Sequence, residues 1–295
     1  MGLTPFFCFF VTIPSMRQRY TLSLPRNSIT LGDRTAVMGI LNVTPDSFSD
    51  GGHYFDLEKA IARGKEIEQE GADIIDIGGE SSRPGSDAIP EDEELRRVLP
   101  VIEILAPILR IPISIDTYRA AVAQRALQAG AQVVNDISAF RFDPPLANVV
   151  AKERAGVVLM HSRGTRDMLH KQSRMADPLG EVAASLVTSA EMARAAGIPA
   201  DGIVIDPGIG FGKAAEESVE VLKSLSRFSK IGYPLLVGTS RKSFIRTMTS
   251  DTPEARNWGT AATIVAAIIN GAHIVRVHDV HQARSLSDVT DRLAG

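Results

Sequence analysis

Polar side chains stand at the end of nearly every short apolar run in this sequence: Asn42, Asp76, Asp116, Asn135 with Asp136, His161, Asp206, Lys242 just past the seventh run, and Arg276 with His278. Chains that leave a sheet for water account for one or two such residues. They account poorly for a near-complete ring. The ring divides by chemistry. Asp76, Asp116, Asn135 and Asp206 offer carboxylates and an amide, which suit a ligand rich in N–H donors and ring nitrogens, such as a pterin or a purine. Arg276, His278 and Lys242, with Arg83 from the loop 78–86, offer positive charge, and guanidinium forks match phosphate oxygens bidentately. A molecule with a heterocyclic end and a phosphorylated end satisfies both halves.

These residues need a frame that brings strand ends together. Val- and Ile-rich runs at 36–42, 73–77, 111–116, 132–136, 156–160, 202–206, 234–238 and 273–277 alternate with helical patterns at 56–70, 92–106, 119–129, 145–154, 179–196, 214–229, 257–270 and 281–293. Strand–helix alternation predicts parallel strands with helical crossovers, the α/β class. Eight units over about 260 residues match a single (β/α)8 TIM barrel, whose active site lies at the C-terminal strand ends. A doubly wound open sheet is the alternative. It usually carries a glycine fingerprint in its first turn, and "NVTPDSFSDGG" (43–52 and its preceding Asn42) is not one. No linker divides residues 36–295, which read as one domain. Residues 16–35 read as a β-hairpin, with strands at Tyr20–Leu24 and Ile29–Leu31 around a Pro-Arg-Asn turn. Residues 1–15 form an extension whose apolar run, Phe6–Ile13, is too short to span a bilayer. It lacks the basic flank and cleavage site of a signal peptide, so the expected translation start is Met16.

Composition narrows the partners. The 295 residues are 44% hydrophobic and 23% charged, with a formal net charge of −3. That balance gives no global attraction to nucleic acid or anionic membrane, so any anion site is a local cluster. The one cysteine, Cys8, excludes a disulfide framework and a cysteine zinc site, in keeping with a cytoplasmic protein. No histidine pair has H-x-x-x-H or H-E-x-x-H spacing. A Mg²⁺ ion held by one or two protein oxygens and ligand phosphates needs no such cluster, and Asn42 is able to serve it. "DPGIGFGK" (206–213) fails both phosphate-loop patterns. It reads as a loop that lets backbone approach a ligand, with Phe211 projecting as an apolar contact. No serine lies in G-x-S-x-G, so no nucleophilic triad declares itself.

The motifs "GILNVTPDSFSDGG", "IDIGGESSRPG", "SIDT", "VNDIS", "LMHSRG", "DPGIGFGK", "GTSRKSF" and "RVHDV" resemble, in order and near spacing, those of the dihydropteroate synthase family over residues 36–292. The resemblance implies the folate-pathway reaction that joins (7,8-dihydropterin-6-yl)methyl diphosphate to 4-aminobenzoate, with Mg²⁺ assisting, in a homodimeric enzyme targeted by sulfonamides. It implies that Asp116, Asn135, Asp206 and Lys242 hold the pterin, joined by Asp76 on the chemistry above. Asn42, Arg83, Arg276 and His278 would hold diphosphate, with Asn42 the protein ligand to its metal. Phe48, Ser82, Pro84, Phe211, Lys242 and Ser243 would frame aminobenzoate. Arg83, Lys242, Arg276 and His278 are the expected catalytic set. The sequence departs from the family at Ser82, where threonine is common, which removes one small apolar contact of about 1 kcal/mol or less.

The implied chemistry explains why no nucleophile motif appears. The pterin ring stabilises positive charge on its methylene, diphosphate leaves as its charge is neutralised, and the arylamine needs positioning rather than a strong base. Phe48 is expected to close over a late-binding aromatic substrate. The helix around Trp258–Ile269 is a candidate dimer face. Three rival readings are a methyltetrahydrofolate-dependent methyltransferase, a non-catalytic pterin-binding paralogue and an unrelated phosphate-binding barrel. The first has no use for "SSRPG" and "RVHDV", and the second should have lost part of the ring.

Overall fold

The run Ala36-Val-Met-Gly-Ile-Leu is buried from end to end. A strand with no solvent face must be covered on both sides, which parallel strands wrapped by crossover helices achieve. A computed structural model shows this arrangement and describes residues 17–44, 53–81, 86–169 and 172–294. Eight strands follow one another in parallel: β3 (Ala36–Asn42), β4 (Ile74–Gly78), β5 (Ile113–Asp116), β6 (Val133–Asp136), β7 (Gly156–Met160), β8 (Ile203–Asp206), β9 (Leu236–Val237) and β10 (Ile274–Val277). β3 pairs with both β4 and β10, and a single bridge between Ile205 and Leu235 joins β8 to the β9 side, closing the barrel. An antiparallel hairpin, β1 (Tyr20–Ser23) and β2 (Ser28–Leu31), precedes it. The fold is the expected (β/α)8 barrel with an N-terminal hairpin.

The helices are α1 (His53–Gln69), α2 (Glu91–Leu105), α3 (Ala120–Ala129), α4 (Leu146–Lys152), α5 (Pro178–Ala195), α6 (Ala215–Lys223), α7 (Leu225–Phe228), α8 (Pro253–Ile269) and α9 (Val280–Ala294). Two elements differ from expectation. The helix expected at 214–229 is divided at Ser224, whose φ of −110° and ψ of 19° leave the helical region. The strand expected at 234–238 is cut to two residues. Pro234 has no N–H to give to a neighbouring strand, although its carbonyl accepts from Ile205 N at 3.0 Å. Gly71, Gly130 and Gly197 take φ of 96°, 123° and 94°, the left-handed-type values that helix C-termini require. Among the described residues, no helix is long and apolar enough to cross a membrane.

The barrel interior is layered by the period-two alternation of its strands. The lower layer is apolar: Met38, Ile74, Val133, Val158, Val204, Leu236 and Ile274 pack with Leu22 and Leu31 of the hairpin. The hairpin therefore plugs the N-terminal end of the barrel. Two residues further along four of those strands stand Asp76, Asn135, Asp206 and Arg276. The plug closes the end remote from the chemistry. Leu31→Ala, at a site with no exposure, is expected to lower stability by about 2–5 kcal/mol. Chemical unfolding should record that loss, while substrate affinities of the folded variant stay at wild-type values.

Candidate active site

β4, β5, β6, β8 and β10 deliver the polar upper layer. Arg276 lies between two carboxylates: its Nε donates to Asp76 Oδ2 and its Nη2 to Asp116 Oδ2, each at 2.6 Å. Asn135 Nδ2 donates to the same Asp76 oxygen at 3.0 Å. The other oxygen of Asp76 is buried without a hydrogen-bond partner among the described residues, as is Ser114 Oγ, which sits beside it in register. Buried polar atoms are nearly always satisfied, so this pair marks groups that a bound molecule can engage. Gly78 keeps the rim open. A Cβ there would lie 3.4 Å from Asp116 Cβ and 3.9 Å from Asn42 Oδ1.

Burial sets the proton affinities of this layer. It pushes the Asp116 carboxyl up, while the Arg276 guanidinium pulls it back. It raises Asp206 to about 6, against the stabilising N–H of Gly208, which donates to Asp206 Oδ1 at 2.7 Å. It lowers Lys242 to about 7, helped by Arg276 and opposed by Asp206 and Asp116. Burial also works against the charge on Arg276, but Asp76 and Asp116 outweigh it and hold the guanidinium firmly protonated. Groups poised this close to neutrality cluster at functional sites.

Beside these carboxylates, Lys242 Nζ sits 3.6 Å from the centre of the Phe211 ring, a cation–π contact. Ser243 follows Lys242 and opens a short turn, Ser243–Thr247, in which Ser243 is exposed while Phe244 and Ile245 are buried. Towards the rim of β3 and β10, His278 Nδ1 is 3.0 Å from Ser240 Oγ. Asn42 and His278 line an open groove of about 630 Å³ with Arg63, Arg241 and His281. Arg63 is paired with Glu70 at 2.6 Å and Arg241 with Asp279 at 3.0 Å.

The structure thus gathers Asn42, Asp76, Asp116, Asn135, Asp206, Phe211, Lys242, Ser243, Arg276 and His278 around one barrel end. Phe48, Ser82, Arg83 and Pro84 lie outside the described residues, as do the 1–15 extension and the Met16 start. Two members of the strand-end ring serve the fold instead. Asp136 accepts from Ser138 N and Oγ at 2.7 Å and from Phe140 N at 2.5 Å. It thereby supports the left-handed Ala139 and Phe140 (φ 49° and 69°). His161 turns to Lys213, whose Nζ is 2.7 Å from its Nδ1. Sequence reading missed Ser240, Arg241, Arg63 and Lys213 at this end. Ser240 and His278 are 38 residues apart and carry no local pattern that links them.

The closed parallel barrel is that of a pterin-binding enzyme family: the profile described as "Pterin binding enzyme" matches residues 38–278. The chain is 48% identical over 263 residues to the dihydropteroate synthase of Synechocystis sp., covering 89% of this chain and 91% of that protein. It is 45% identical over 267 residues to that of Bacillus subtilis, covering 90% and 91%. The solved structure of Xanthomonas albilineans dihydropteroate synthase with 4-aminobenzoic acid superposes with a TM-score of 0.87 at 42% identity, covering 94% of this chain and 98% of that one. The Yersinia pestis dihydropteroate synthase in a sulfonamide drug complex gives 0.85 at 38% identity, covering 92% and 98%. The chain belongs to the dihydropteroate synthase family.

Proposed function

We propose that this protein joins (7,8-dihydropterin-6-yl)methyl diphosphate to 4-aminobenzoate, giving 7,8-dihydropteroate and diphosphate for folate biosynthesis. The observation that carries the reading is the two-sided chemistry of the upper layer. Carboxylates and an amide surround one end, and Arg276 leads from them towards Asn42 and His278. Asp76, Asp116, Asn135 and Asp206 meet the N–H and ring-nitrogen edge of the pterin, with Lys242 beside them. Asn42, Arg276 and His278, with Arg83, take the diphosphate. Phe211, Lys242 and Ser243, with Phe48, Ser82 and Pro84, frame the aminobenzoate.

The bond between the methylene carbon and the diphosphate oxygen breaks, and its electron pair leaves with diphosphate. The pterin ring carries the positive charge left on carbon. Fixed cations near the leaving oxygen lower the barrier by stabilising charge as it develops. The amine lone pair of aminobenzoate then forms the new C–N bond and the nitrogen loses a proton. Stacking on Phe211 aims that amine, so orientation replaces nucleophile activation. No covalent enzyme intermediate is required.

The donor set fits Mg²⁺ carried largely by its substrate. No group of three His, Cys, Asp or Glu side chains able to cage a metal occurs among the described residues, and the Asn42 amide oxygen is a hard donor of the type Mg²⁺ accepts. Asn42 would hold the ion, which supplies charge neutralisation to the diphosphate when bound. The exposed Trp258 and Ile269 on α8 support a homodimer built on that helix. A cytoplasmic location, a single barrel domain over 36–295 and membership of a sulfonamide-targeted family belong to the same reading.

The test mixes the dihydropterin diphosphate, aminobenzoate and Mg²⁺ and follows diphosphate release. Release that depends on aminobenzoate is the expected result. Tight pterin binding without turnover would point to the non-catalytic paralogue instead.

A further inference from the structure

The last residue of Asp206-Pro-Gly-Ile-Gly-Phe-Gly-Lys213 has no part in the chemistry above, yet its ammonium is turned inward. Nζ lies 2.7 Å from His161 Nδ1, 2.9 Å from the Gly208 carbonyl, 3.3 Å from that of Phe211 and 3.4 Å from that of His161. A lysine ammonium has three N–H donors and accepts nothing. Burial lowers the Lys213 ammonium to about 7, opposed by the carboxylates of Asp206 and Glu217. Opposite the ammonium form, His161 Nδ1 presents its lone pair and the ring is the neutral Nε2–H tautomer. His161 is 3% exposed. Burial, then the neighbouring Lys213, Arg141 and Arg163, push its pKa down to about 2.

The backbone is shaped around this cation. Gly208, Gly210 and Gly212 take φ of 68°, 78° and 64°, values that glycine adopts without strain. A Cβ on Gly208 would come within 1.9 Å of the His161 carbonyl oxygen, so the loop is pressed against the end of β7. The same loop aims two side chains at the site. Gly208 N holds Asp206 Oδ1 at 2.7 Å, and the Phe211 ring lies under the Lys242 ammonium. The two loop residues whose carbonyls Lys213 gathers are those that orient Asp206 and carry the aromatic ring.

We propose that Lys213, seated on His161, is a positioning residue that holds the β8–α6 loop so that Asp206 meets the pterin and Phe211 meets the arylamine. Both substrate subsites then depend on one half-buried lysine that touches neither substrate. The inference rests on the synthase reading for its arylamine arm only.

The test compares Lys213→Met with Phe211→Ala and the wild type. Equilibrium affinity for the dihydropterin diphosphate is measured by calorimetry, and KM and kcat are measured for aminobenzoate. Lys213→Met is expected to weaken pterin affinity and raise the aminobenzoate KM by about tenfold each. Phe211→Ala is expected to raise the aminobenzoate KM alone. A lysine that merely stabilises the fold would lower the unfolding midpoint and the active fraction, hence kcat, with both constants unchanged. That outcome, or constants within twofold of wild type, overturns the proposal. ¹⁵N NMR of the wild type should show His161 as the Nε2–H tautomer with Nδ1 as acceptor, and a protonated or Nδ1–H ring would also overturn it. Where Lys213→Met does not fold, His161→Phe keeps the lysine, removes its nitrogen partner and carries the same two expectations. Should the wild type release no diphosphate, the synthase reading has failed, and the pterin affinities still decide the proposal.

Discussion

Arg276→Ala is expected to lower kcat/KM for the dihydropterin diphosphate by about 10³, a loss of about 4 kcal/mol of transition-state stabilisation. Two effects add. The leaving diphosphate loses a guanidinium whose charge is held firmly on by its surroundings. The carboxylates of Asp76 and Asp116, each bonded to Arg276 at 2.6 Å, are left facing each other without a cation. Removing one member of a buried ion pair costs about 3–5 kcal/mol of stability, so the unfolding midpoint should also fall. The ion pairs join Arg276, proposed to take the diphosphate, directly to the carboxylates proposed to meet the pterin, so pterin affinity should drop as well, though less than turnover. Arg276→Lys keeps a charge but lacks the fork that spans two strands, and should recover only part of the rate. Steady-state diphosphate release, read beside thermal unfolding, checks these outcomes. A rate within tenfold of wild type for Arg276→Ala would remove the residue from the catalytic set.

Asp206→Asn is expected to weaken pterin binding by about 10–100-fold, because an acceptor facing ring N–H groups becomes part donor and leaves a buried mismatch of about 1–3 kcal/mol. Its pH signature is specific. Burial raises the Asp206 carboxyl to about 6, and the carboxylate is the form that accepts. Wild-type affinity should therefore fall as pH drops through about 6, and that step should be absent from the asparagine variant. The same shift predicts the opposite effect on the empty protein. A carboxyl whose folded pKa lies above its unfolded 3.8 binds its proton more tightly when folded. Its contribution to stability then declines as pH rises from about 4 to about 6. At pH 7 the buried charge is a strain on the fold, so Asp206→Asn should unfold no lower than wild type while binding worse. Calorimetric titration at several pH values and an unfolding scan at pH 7 test both halves. Unchanged pterin affinity would refute the assigned role.

The barrel was legible because each strand is a short apolar run and each helix carries a longer amphipathic pattern. The candidate site was legible because Asn42, Asp76, Asp116, Asn135, Asp206 and Arg276 interrupt or end those runs. A sharper rule lies in the alternation itself. Ile74 and Asp76, Val133 and Asn135, Val204 and Asp206, and Ile274 and Arg276 are spaced by two, so on these four strands the apolar residue of the lower layer announces a polar one above it, whereas Met38, Val158 and Leu236 are followed by Ile40, Met160 and Gly238. That rule separates Asn135 from Asp136, which points the other way and caps a turn. It does not reveal who bonds to whom. Arg276 and Asp76 are 200 residues apart, and His161 and Lys213 are 52 apart. Such contacts come from closure of the sheet, and no local window of sequence contains it. The short β9 escaped for a related reason: apolar composition favours a strand over 234–238, but pairing ends where the chain cannot supply N–H groups to both neighbours.

Where β8 meets β9, the cylinder is fastened by the Ile205–Leu235 bridge, whereas β3 and β4 share a register of five residue pairs. The loops that rise from the two sides of this seam carry Phe211 on one flank and Lys242 on the other, and they touch across it. Elements with few backbone bonds open first in a native protein. The joint with the fewest stitches thus lies directly beneath the Phe211–Lys242 contact. A molecule bound against both Phe211 and Lys242 would act as a rivet through both rims, so that its occupancy and the breathing of the cylinder would become one equilibrium rather than two.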